Sequence, residues 1–137
     1  NAYAAVREEN FVLSEKVKLG MLPRYKYLTN NDTSNIVGEG VLTLDRTGLT
    51  YKGSCGGEQV TLHQPILSLP TYGMCTDVSR IYTFIDGEFY EFYPENRTVG
   101  KWLHCTEEMH RFMGGKWTDF AVGGEAPTGN AEHLRSN

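Results

Sequence analysis

Four histidines and three cysteines are the residues of this 137-residue chain best suited to metal or nucleophile chemistry, and their spacing limits what they can do. His104 and His110 stand six apart in a segment of helical periodicity, about 240° apart around the axis, so they cannot close on one ion. His63 and His133 are isolated and read as surface or satisfied histidines. Cys55, Cys75 and Cys105 are odd in number and form no C-x-x-C pair. That points away from a disulfide framework or zinc knuckle and towards a reducing compartment. A cysteine nucleophile needs a histidine base within hydrogen-bond reach, and Cys55 or Cys75 meeting His63 is the arrangement left open. The ordinary role of a free cysteine is that of a small buried hydrophobe. Glu8-Glu9 and Glu107-Glu108 are neighbours in helical stretches, diverge by about 100°, and read as solvated faces. Neither a phosphate-binding glycine loop nor a G-x-S-x-G is present. The expectation is a chain with no catalytic residue, no metal site and no cofactor.

Two features remain. Half of the chain's aromatic residues, Tyr82, Phe84, Phe89, Tyr90, Phe92, Tyr93, Trp102 and Phe112, fall between positions 80 and 113. Surfaces that stack on nucleic acid interleave aromatics with Lys and Arg. Residues 81 to 96 hold neither, and carry Asp86, Glu88, Glu91 and Glu95. Core packing is therefore expected, and with a net charge of −4 no overall basic field draws the chain to nucleic acid. The second feature is basic: Lys16, Lys18, Arg24 and Lys26 cluster near the expected first strand, where they form either a lipid-headgroup contact or a solvated face.

The elements that must position these residues follow from periodicity and turns. Residues 3 to 19 read as a short helix feeding an extended lead-in, and "RYKYLTN" as a first strand. "GVLTLDRTGLTY" is a hairpin in which Gly48 takes a positive φ, and "SCGGE" is a second turn before "QVTLHQP". "ILSLPTYG" reads as a short extended segment ended by Pro70. Asp86-Gly87 marks a third hairpin, whose arms are apolar on both faces and so need cover on both. From Thr98, Val99, Trp102, Leu103, Thr106, Met109, Phe112 and Met113 trace one buried helix face, and Gly114-Gly115 stops it. "KWTDF" adds a packed segment, and the remainder has the composition of a flexible tail. The fold expected is mainly β: a strongly bent antiparallel sheet or barrel of six or seven strands, capped by one C-terminal helix, over residues 3–120. A tail follows at 121–137. Asn1-Ala2 reads as a tag remnant, so the chain is expected to be a piece of a longer protein. The sequons at Asn31 and Asn96 carry little weight without a secreted context.

The pattern "GxLxLDxxGLxYxG" (Gly40, Leu42, Leu44, Asp45, Gly48, Leu49, Tyr51, Gly53), then Tyr82, Phe84, Gly87, Phe89, Tyr90, Phe92 and Pro94, then the helix from Trp102 to Phe112, resembles a PH/GRAM-type barrel. With Cys105, Thr106, Glu107, Glu108, Met109 and His110 in that helix, it is also similar to the C-terminal accessory region of clostridial 1-acyl-glycerol-3-phosphate acyltransferases. The catalytic His-x-x-x-x-Asp of those enzymes is missing. Five positions beyond His63, His104 and His110 stand Ser68, Met109 and Gly115, and the chain ends too soon after His133. The resemblance implies a bacterial, non-catalytic accessory domain, cytoplasmic or peripheral at the membrane, whose partner is a membrane surface or a neighbouring catalytic domain. A small-ligand carrier and a stand-alone protein-interaction module are the alternatives.

Overall fold

The alternation in Leu13–Met21 forms strand β1, which pairs antiparallel on one side with β2 (Asn35–Asp45) and on the other with β7 (Glu88–Pro94). In the computed structural model, which describes residues 4–21, 35–68, 75–76, 80–96 and 98–115, the segment read as a lead-in is thus the middle of the sheet. It follows a 3-10 turn at Ala4–Arg7. The strand expected over "RYKYLTN", the segment "KWTDF" and the tail lie outside the described residues. Strands β3 (Gly48–Cys55) and β4 (Glu58–Pro65) extend the sheet beyond β2, while β6 (Ile81–Ile85) and the two-residue β5 (Cys75–Thr76) extend it beyond β7. All pairings are antiparallel.

The turns behave as their residues require. Gly48 sits at φ 132°, Gly56 and Gly57 at 60° and 87°, and Asp86 and Gly87 at 51° and 81°. A tight hairpin needs left-handed backbone at such positions. One expectation fails: Ile66–Ser68 is a 3-10 turn, not an extended segment. Pro65 ends the preceding strand, and the Ile66 N–H bonds back to the Thr47 carbonyl, pulling the chain off its straight course.

β1 to β4 and β7 make a curled half-barrel. On a flat sheet, the three strand spacings from β3 to β7 amount to about 14 Å. The rings of Tyr51 on β3 and Phe92 on β7 nevertheless lie 5.6 Å apart, centroid to centroid. Gly40 and Gly53 face each other on the concave side and permit this curl. A Cβ at Gly53 would stand 2.5 Å from the Gly40 Cα and 2.8 Å from the Tyr51 hydroxyl. Val17, Leu19, Leu42, Leu44, Leu49, Tyr51, Ile81 and Phe92 share one buried cluster with Val99, Trp102, Leu103 and Met109 of the helix α1 (Val99–Phe112). Phe89, on the opposite side of β7 from Phe92, is also buried, so the third hairpin is covered on both faces there. The side chains of Tyr82 and Phe84 lie outside the described residues. No helix among the described residues is long and apolar enough to cross a membrane.

α1 is held at both ends. Glu15, on the concave side of β1, accepts hydrogen bonds from the Thr98 hydroxyl, from Trp102 Nε1 (3.3 Å) and from the Asn96 N–H (3.3 Å). At the other end Gly114, at φ 97°, donates to the Arg111 carbonyl and Gly115 to that of His110, the pair of bonds that closes a Schellman stop. Phe112 and Met113 do not belong to the buried face: they are 40% and 37% exposed. The guanidinium of Arg46, 5.1 Å from the Phe112 ring centroid, covers that residue in place of the core.

Glu15 is therefore the joint between sheet and helix. Glu15→Ala, which strands the Trp102 and Thr98 donors, is expected to cost about 2 kcal/mol in urea unfolding, with Glu15→Gln recovering part of the loss. An unchanged midpoint in Glu15→Ala would remove that role.

Candidate functional site

Where the concave side is apolar, the outer side of β1 to β4 is polar and exposed, and its residues fall into register across the strands. One row runs Lys16, Val41, Lys52, Thr61; the next runs Ser14, Thr43, Thr50, His63. Lys18 lies opposite Glu39 on β2 and Tyr93 on β7. The three lysines are exposed, as is Val41 among them at 39%. Lys16 and Lys52, two strands apart, are separated at the backbone by about 10 Å. The hydroxyl row is internally bonded: Ser14 Oγ to Thr43 Oγ1 at 3.3 Å, and Thr50 Oγ1 to His63 Nδ1 at 2.7 Å. The face thus offers three ammonium groups, a line of hydroxyls and an imidazole, against two carboxylates, Glu39 and Asp45, the second of which accepts hydrogen bonds from the Thr47 N–H and hydroxyl.

Of the four basic residues singled out by sequence, Lys16 and Lys18 lie on this face; Arg24 and Lys26 lie outside the described residues. Lys52 was missed. The two-residue turn at Arg46-Thr47 sets Val41 opposite Lys52 and is a local signal, but that Lys16 stands opposite Val41 follows only from the pairing of β1 with β2.

The other candidate chemistries separate in space. Cys55 Sγ lies 3.9 Å from Met21 Sδ on the concave side, whereas His63 bonds Thr50 on the outer side, so the two cannot form a nucleophile–base couple. The side chain of Cys75 and the whole of His133 lie outside the described residues. Cys105 is buried, and burial pushes its thiol pKa up, which favours the inert form. Among the described residues no group of His, Cys, Asp and Glu could hold a metal ion. Glu107 and Glu108 both pair with Arg111, at 2.5 and 3.4 Å. The Tyr51 phenol is pushed up to about 12 by burial first and then by nearby Cys55 and Glu39. It stays a proton donor, giving a 2.7 Å bond to the Ser54 carbonyl. Tyr90 is raised too, chiefly by burial.

One buried charge was not foreseen. Glu91 is fully buried on the outer side of β7, where Arg80 forms a 3.0 Å ion pair with it and the Tyr93 hydroxyl donates to it at 2.8 Å. The sequence led to the expectation that both faces of this hairpin are covered, but not that Glu91 is buried with a partner on one of them.

No family model, curated protein or solved structure matches this chain. Its site is defined by its own chemistry: the convex, lysine-bearing, hydroxylated outer face of a curled sheet, on a chain that is acidic overall.

His110, expected at the surface or satisfied, is 3% exposed, and burial lowers its pKa below the ordinary 6.5. The folded state binds this proton less readily than the unfolded state. Its contribution is complete above 6.5 and is lost as pH falls from there through the lower folded value. Urea titrations across that window should show wild-type stability falling more steeply with acid than that of His110→Gln. Parallel curves would contradict the burial account.

Proposed function

We propose that this chain is a non-catalytic binding module of PH/GRAM-like type, serving a phospholipid-biosynthesis acyltransferase, and that it meets anionic lipid headgroups through the outer face of β1 to β3. One observation carries the reading: Lys16, Lys18 and Lys52 converge on one exposed face around Val41, although the chain as a whole carries −4. Long lysine arms lay their stems on apolar surface and extend the ammonium group outwards, which suits separate phosphates at a membrane. The curled antiparallel sheet with its C-terminal helix supports the PH/GRAM-like assignment, and the hairpin and helix motifs support the acyltransferase association. The cofactor-free, enzyme-free reading belongs to the same proposal, and so does a peripheral cytoplasmic location.

Each lysine near an anionic leaflet contributes about 1 kcal/mol, screened by salt. Co-sedimentation should show weak binding to vesicles containing phosphatidylglycerol, little to pure phosphatidylcholine, and a decline with added salt. Lys16→Glu, Lys18→Glu and Lys52→Glu combined should abolish it. Binding that survives the triple reversal, or that ignores salt and headgroup charge, would sink the proposal.

A further inference from the structure

Among the described residues β4 is the last strand at one edge of the sheet, and its backbone lacks the usual features that block further pairing. Natural edges are blunted by lysine, by proline within the strand, by bulges or by shortness. β4 has eight residues, EQVTLHQP, with neither Lys nor Arg; its one proline is the final residue, and its register with β3 is unbroken. The curl brings β4 near β6, yet Gln59, Thr61 and His63 remain exposed.

The hairpin fixes which groups point outward. Gly56 and Gly57 form a two-residue turn with both φ positive, closed by the Cys55–Glu58 pair. In such hairpins the closing pair is hydrogen-bonded, and bonding alternates from there. Glu58, Val60, Leu62 and Gln64 therefore bond to β3, while Gln59, Thr61 and His63 turn their N–H and C=O groups to the open edge.

Read about Thr61, that edge is complementary to itself. An antiparallel copy centred there sets Thr61 opposite Thr61, Gln59 opposite His63, Val60 opposite Leu62 and Glu58 opposite Gln64. Every outward-pointing residue meets another outward-pointing residue. The apolar pair and Glu58–Gln64 fall on the concave side, Thr61–Thr61 and Gln59–His63 on the outer side, and no like charges oppose. We propose that β4 pairs with β4 of a second copy of this chain across a two-fold axis through Thr61. Such an axis is perpendicular to the sheet, so both copies turn their lysine-bearing faces the same way.

Sedimentation velocity on the full chain across a dilution series tests this. A reversible species of twice the chain mass is expected. Thr61→Pro removes two inter-chain bonds at the axis without touching the β3 ladder, and should weaken association by about thirtyfold. Thr61→Lys places two positive charges at the axis and should do the same. Circular dichroism checks that each variant is folded; if Thr61→Pro is not, Thr61→Lys carries the test. A chain that is monomeric throughout overturns the proposal, even one whose edge accepts an extended peptide. Undiminished association of a folded variant overturns it as well. Vesicle binding is read separately, through the lysine variants, so either proposal can fail alone.

Discussion

The curl of the sheet depends on two glycines that face each other under a tyrosine. At Gly40 and Gly53 the strands β2 and β3 have no room for a Cβ, since one at Gly40 would meet the Lys52 carbonyl and lie 2.6 Å from the Gly53 Cα. The neighbouring atoms are backbone and cannot step aside as a flexible side chain could. Tyr51 lies over the gap, its hydroxyl anchored to the Ser54 carbonyl, and thereby restores the contact that a glycine in a strand forfeits. With the sheet bent there, the Tyr51 ring reaches Phe92 on a strand three spacings away, and the concave side becomes a closed apolar volume with α1 as its other wall.

The same bend separates two chemistries carried by single strands. β1 turns Glu15, Val17 and Leu19 inward, where they fix the helix and fill the core, and turns Lys16 and Lys18 outward. Because side chains alternate with period two, a slip of one residue would exchange these sets, so the burial that stabilises the fold also determines which charges are presented. A register shift between Leu19 and Gly20 tightens the arrangement at one end, where Val37 packs against the core. The basic outer face follows directly from the apolar inner one.

Local signals were the legible part. Gly56-Gly57 and Asp86-Gly87 announced their hairpins because few residues tolerate that backbone, and the apolar period from Val99 to Met109 announced the helix. What depended on distant partners was not legible. The sequence places no two-residue turn signal beside β1, and its neighbour β7 lies about seventy positions away, so its alternation looked like a lead-in. Phe112 fitted the helical period, but only the fold brings Arg46 to its ring. Lys52 became visible once the register was carried across three strands, and the burial of Glu91 once the fold placed Arg80 and Tyr93 against it. Lys16 and Lys18 were found from their charge alone; what they can do depends on the outer face they share with Lys52 and on Val41 between Lys16 and Lys52.

The decisive measurement is urea unfolding of Gly53→Ala beside Gly100→Ala. A methyl group at Gly53 meets backbone, whereas one at Gly100, in the first turn of α1, meets open space. Gly53→Ala should lose about 2 to 3 kcal/mol, the usual cost of forcing a carbon into a filled place, while Gly100→Ala holds or gains up to about 1 kcal/mol. Should Gly53→Ala remain within about 0.5 kcal/mol of the parent, the range of an ordinary surface change, the curl does not rest on that contact.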